Sequence, residues 1–160
     1  MATLVVHERS AWEDRFRTPS ESVLMGAIPK GVVPAFERMR AGLAELPGVE
    51  EHLAWCGVPW RWSWEYRAAD GSVGGEDGHG LAYVVPNPAR PALVVPVPDS
   101  TLGLLSGRDV SKPVREQVAV TPSVGGWRWA AWDLTSRGLA DELLGLVSIV
   151  MNHTPARAGG

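Results

Sequence analysis

Val58, Trp60, Trp62, Trp64 and Tyr66 alternate without interruption with Pro59, Arg61, Ser63, Glu65 and Arg67. That is the period of a strand with one apolar and one polar face, and it places a Trp-rich strand at the centre of the core sheet. Its apolar side is expected to pack on helices and its polar side to meet solvent or a ligand. Leu81 to Val85 and Ala92 to Val97 are apolar and rich in β-branched residues, with Pro86-Asn87-Pro88-Ala89-Arg90-Pro91 between them. They read as the next two strands of an antiparallel meander, their lengths limited by the flanking prolines. Trp127 to Leu134, after Gly125-Gly126, is too short and aromatic for a helix and forms a last strand with both faces partly apolar.

Helical spacing appears elsewhere. Phe36, Met39, Leu43 and Leu46 recur with Glu37, Arg38, Arg40 and Glu45 between them, which predicts an amphipathic helix from Pro34 that stops at Pro47-Gly48. Leu139, Leu143, Leu146, Val147 and Val150 predict a final helix to about Met151. Thr18-Pro19-Ser20-Glu21 offers a cap oxygen, a proline for the first turn and an acidic residue, so a short helix to about Met25 should follow. Asp99-Ser100-Thr101 and Ser111-Lys112-Pro113 open two further helices separated near Gly107. Residues 70–80, Gly-rich and polar, read as a hairpin loop. The expectation is one α+β domain spanning residues 1–160, with an antiparallel sheet of about four strands, helices on one face, and residues 1–17 and 154–160 loosely ordered.

The layout resembles a family of small bacterial domains of unknown function related to the YdhG-like group. The residues that carry the resemblance are Thr18-Pro19-Ser20-Glu21, the Trp60 to Tyr66 strand, Leu81 to Pro86, and Gly126-Trp127-Arg128-Trp129 before the closing helix. It implies a helix-covered antiparallel sheet and no established reaction.

Composition narrows the function classes. A chain of 160 residues is the size of one domain. A formal net charge of −3 supplies no general attraction for nucleic acid. No apolar run approaches the ~20 residues of a membrane-spanning helix, and residues 1–15 carry too many charges for a secretory signal, so a cytoplasmic protein is expected. Asn152-His153-Thr154 matches a glycosylation acceptor that this location would leave unused.

Chemistry-bearing motifs are sparse. His7, His52, His79 and His153 show no metal-ligand spacing, and Glu50-Glu51-His52 reads as a solvated turn whose adjacent side chains diverge. Glu76-Asp77-Gly78-His79 lies in the same Gly-rich loop, so neither metal nor cofactor is expected. Cys56, the single cysteine, would need a lowered pKa to act as a nucleophile and otherwise packs as a small apolar residue. Ser72 lacks the surroundings of a nucleophile elbow, and the Gly-rich segments lack a phosphate loop's Lys-Ser/Thr ending.

The eight tryptophans change the picture most, because indoles in such number either fill a core or line a pocket. The candidate site is Trp60, Arg61, Trp62, Trp64, Tyr66, Arg67, Trp127, Arg128 and Trp129, with Trp132 beside it and Glu65 as a polar partner. These residues suit a planar hydrophobic or aromatic ligand, including an anion, held in a Trp-lined cleft between sheet and helices. The rivals are an interaction or homodimerisation module using an aromatic and Arg-bearing face, and an enzyme with Glu65, Asp133 or His79 as acid or base.

Overall fold

A computed structural model describes residues 10–69, 78–105 and 107–153. After a 3-10 turn at Ala11–Glu13, helix α1 spans Glu21–Gly26 and α2 spans Val33–Ala44. Strands β1 (Val49–Trp55), β2 (Trp62–Ala68), β3 (Ala82–Val85) and β4 (Ala92–Pro98) follow, then a 3-10 turn at Asp99–Leu104 and helix α3 at Lys112–Val120. Strands β5 (Ser123–Val124) and β6 (Trp127–Asp133) precede α4, Arg137–His153. The fold class is α+β, built on one antiparallel sheet in the order β1-β2-β3-β4-β6-β5.

The sheet has six strands rather than about four. The Trp-rich strand is second from an edge rather than central. One added strand is the two-residue β5. The other, β1, occupies the segment expected to be a turn. Its inward positions are Val49, Glu51, Leu53 and Trp55, paired with Ala68, Tyr66, Trp64 and Trp62. The carboxylate at Glu51 interrupts the apolar alternation, which hides the strand. Glu51 is satisfied from a distance: Arg40 of α2 grips it with Nη2 at 2.8 Å and Nε at 3.3 Å, and the Tyr66 hydroxyl donates to it.

Helices α2 and α4 pack on each other over one face of the sheet. Gly42 lies against the Leu144 side chain, and Arg38 Nε reaches Asp141 Oδ1 at 2.7 Å. Beneath them, Trp64 meets the edge of Phe36 at a centroid distance of 5.8 Å, and the Arg40 guanidinium sits 3.7 Å above the Trp64 ring, a cation–π contact. Tyr66, Phe36, Met39, Leu43, Leu93, Leu143 and Leu146 are buried in the same layer. Burial alone would lower the Arg40 pKa. Hydrogen bonds to Glu51 and Glu21 outweigh it, so the guanidinium stays charged inside.

Local signals set most helix ends. Ser20, rather than Thr18, caps α1, its Oγ accepting from the Val23 N–H at 3.3 Å. A proline occupies the first turn of both α2 and α3. The helix expected at Asp99 is a 3-10 turn, with Asp99 turned to Arg128 (2.9 Å from Nε) and Ser123 (2.5 Å). Those two hydrogen bonds, Ser123's first, hold the Asp99 carboxyl below its ordinary range. The expectations for residues 1–9, most of the Gly-rich loop (70–77, with Ser72, Glu76 and Asp77) and the tail 154–160 fall outside the described residues. No helix among those described is long and apolar enough to cross a membrane.

Candidate functional site

Strand parity divides the expected site between two faces of the sheet. Trp62, Trp64 and Tyr66 point under the helices, where they are 8%, 3% and 0% exposed. The Trp62 indole donates to the Asp14 carbonyl at 2.7 Å, and burial raises the Tyr66 phenol pKa, with the Glu51 bond adding to it. Trp132 is buried on the same side. The cleft expected between sheet and helices is therefore filled by packed side chains, and these residues form core.

Trp60 belongs to the opposite face, although the sequence alternation places it with Trp62. Strand β2 begins only at Trp62; Gly57 at φ 77° and Arg61 at φ 53° shape the turn before it, which contains the cis Val58–Pro59 bond. Face alternation holds only while every residue is extended, and one residue in the left-handed region breaks it. Four contacts hold Arg61 there: Cys56 N–H donates to its carbonyl (2.7 Å), its own N–H donates to Gly57 O, Glu13 Oε1 pairs with Nη1 (2.8 Å), and the guanidinium lies 5.1 Å from the Trp12 ring. The Trp60 carbonyl accepts from Trp12 Nε1 at 3.1 Å and Ser63 Oγ at 2.9 Å. Arg61 is thus spent on the turn, facing Trp12 rather than Trp60.

On the face away from α2 and α4, Trp60, Tyr83 and Trp129 form one ring cluster. Centroids are 5.6 Å apart for Trp60–Tyr83, 5.4 Å for Trp60–Trp129 and 5.8 Å for Tyr83–Trp129, with interplanar angles of 29°, 31° and 37°. His79 meets Trp127 (4.5 Å) and Trp129 (5.0 Å) edge-on. Tyr83 is buried, whereas Trp60, Trp127, Trp129 and His79 are half-buried. Segment 78–80 is pinned to this face by the Gly80 N–H donating to the Tyr83 hydroxyl at 2.6 Å and the Leu81 N–H donating to Tyr66 O at 2.7 Å. Glu65 and Arg67 share the face and pair with each other. Burial pushes the Tyr83 phenol pKa up, so Tyr83 remains a neutral hydroxyl.

Four of the nine expected residues meet here: Trp60, Arg67, Trp127 and Trp129. Arg128 does not. It shares the helix-side register with Val97, and its guanidinium binds Asp99 and the carbonyls of Ala119 (2.9 Å) and Thr121 (3.0 Å). Tyr83 and His79 are the members that the sequence reading left out of the site. Tyr83 was legible as the aromatic of the apolar Leu81 to Val85 strand, but its ring neighbours come from the turn before β2 and from β6.

Of the acid–base candidates, Glu65 shares the aromatic face with the segment that carries His79, whereas Asp133 stands apart from His79. His79 packs on Trp127 at one end of β6, and Asp133, paired with Arg90 at 3.1 Å, closes the other end, a strand length of roughly 20 Å. Glu50 and His52 lie together on one face of β1, 3.4 Å apart, while Glu51 points to the other. No group of three His, Cys, Asp or Glu among the described residues is arranged to hold a metal. Cys56 is half-buried with its thiol toward the Ala54 carbonyl. Burial first, then the Glu65 charge, pushes its pKa up to about 11, so it is a thiol at neutral pH and not an activated nucleophile.

A second feature lies at the Trp55 end of β1. Glu13, Arg15, Phe16, Trp55, Gly57, Val58 and Arg61 line an open groove of about 670 Å³, within the size range of binding sites. Phe16 and Val58 stand 89% and 78% exposed beside it. Comparison of the chain with protein-family models, curated proteins and solved structures found no match in any of the three.

Proposed function

We propose that this chain is a non-catalytic binding module that stacks a planar hydrophobic or aromatic ligand on the sheet face carrying Trp60, Tyr83, Trp127 and Trp129. The observation that supports this reading is the ring cluster itself. Three rings from three separate parts of the chain lie within 6 Å of one another with planes inclined by less than 40°, and the outer members remain half-exposed. Indole faces favour offset stacking with another flat ring, at about 0.5–1.5 kcal/mol beyond the area buried. Arg67, paired with the more buried Glu65, lies on the same face and presents its half-exposed guanidinium to the polar end of a ligand.

The test is a titration of the purified chain with a panel of planar aromatic compounds, neutral and carboxylated, read by tryptophan fluorescence and by melting temperature. Binding to the native state gives saturable quenching with a matching rise in Tm, and Trp129→Ala removes both. An unchanged Tm across the panel, or quenching undiminished by Trp129→Ala, refutes the reading.

A further inference from the structure

The groove beside Trp55 is continuous with a second feature, the edge of β1, which ends the sheet among the described residues. Cys56 N–H donates to Arg61 O, and Ala69 N–H to Gly48 O, each at 2.7 Å on the β1–β2 register. Bonded positions alternate along an antiparallel pair, so the even-numbered residues of β1 bond to β2. The N–H and C=O groups of Glu51, Leu53 and Trp55 therefore point outward, while the Val49 N–H is taken by the Leu46 carbonyl at 3.1 Å. Because β1 ends the sheet, no strand among the described residues meets them.

From this juxtaposition we infer that β1 receives an extended peptide segment of a partner protein as an added strand, with a large apolar side chain seated in the groove and an acidic residue next to it. Strand addition of this kind takes affinity from main-chain hydrogen bonds and specificity from side-chain pockets. The charge preference follows from the guanidinium groups. Glu13 neutralises Arg61, and in the adjoining segment exposed Arg15 and Arg17, which make no ion pair among the described residues, outnumber the single carboxylate of Asp14. In a chain of net charge −3 the groove rim is thus locally basic. The anchor residue meets Trp55, Phe16 and Val58, the last two already standing clear of the surface. This surface is separate from the Trp60–Trp129 cluster, so the two readings stand or fall independently.

A display library of random octapeptides panned on the intact chain tests the inference, with enriched sequences synthesised and titrated by calorimetry. Enrichment of one large aliphatic or aromatic residue beside Asp or Glu is expected. Arg15→Glu and Val58→Asp should each weaken binding about fivefold or more, and N-methylation of alternate peptide amides should abolish it, while Trp129→Ala leaves it unchanged. Bound peptide should slow hydrogen exchange at the amides of Glu51, Leu53 and Trp55. Absence of enrichment, binders without acidic preference, or indifference to Arg15→Glu overturns the inference. Concentration-dependent dimerisation that protects those same amides assigns the edge to a second copy instead.

Discussion

Cys56 shows how little a residue type says before its surroundings are known. Its thiol is pushed to about pH 11 by burial, with Glu65 raising it further and Arg67 lowering it. The folded state therefore binds its proton more tightly than the unfolded chain, whose thiol titrates near ~8.5. The stabilisation is fully present below that value and is lost as pH rises through about 11. Alkylation by iodoacetamide under native conditions should accordingly keep accelerating up to pH 11, beyond the range in which a denatured control levels off. A native rate that levels off with the control would contradict the assigned environment. Arg61 makes a parallel point in the backbone: its φ of 53° sends Trp60 to the other side of the sheet, although side-chain alternation alone gives no sign of it.

Elements acquire their roles through close approaches as much as through periodicity. Segment 78–80 reaches the aromatic face only because residue 80 has no side chain. A Cβ there would stand 2.9 Å from the Tyr66 carbonyl oxygen and 2.8 Å from Glu65 Cγ. Gly80→Ala should push the segment off the face and cost about 1–3 kcal/mol, measurable as a lower urea midpoint, with the quenching of any aromatic ligand weakened in step. Full stability in that variant would show that the approach is looser than described. Strand β1 was lost to sequence reading for a related reason. Val49, Leu53 and Trp55 carry a strand pattern, but the inward carboxylate of Glu51 makes sense only once Arg40 arrives from α2 and Tyr66 from β2.

For the molecule as a whole, the sheet has a structural side and a candidate binding side, and the tryptophans divide between them. Trp64, 3% exposed and overlain by Phe36 and Arg40, should cost about 3–5 kcal/mol when changed to Ala. Trp129→Ala, at a half-buried position, should cost less than half of that, about 1–2 kcal/mol by the same scaling with side-chain burial. Equal losses in chemical denaturation would show that both faces are core, leaving the aromatic cluster no free surface to offer. The sequence by itself determined the α+β class, the cores of α2 and α4, the segments of β2, β3, β4 and β6, and the aromatic character of the candidate site. These are local properties, carried by periodicity and end signals within a few residues. Only the tertiary structure decided which face the helices cover, that β1 completes the sheet, and that Trp60 and Trp129 meet Tyr83 while Trp62 and Trp64 are sealed away. Alternation states which neighbours share a face; it does not state what lies above that face, because the covering residues come from distant parts of the chain.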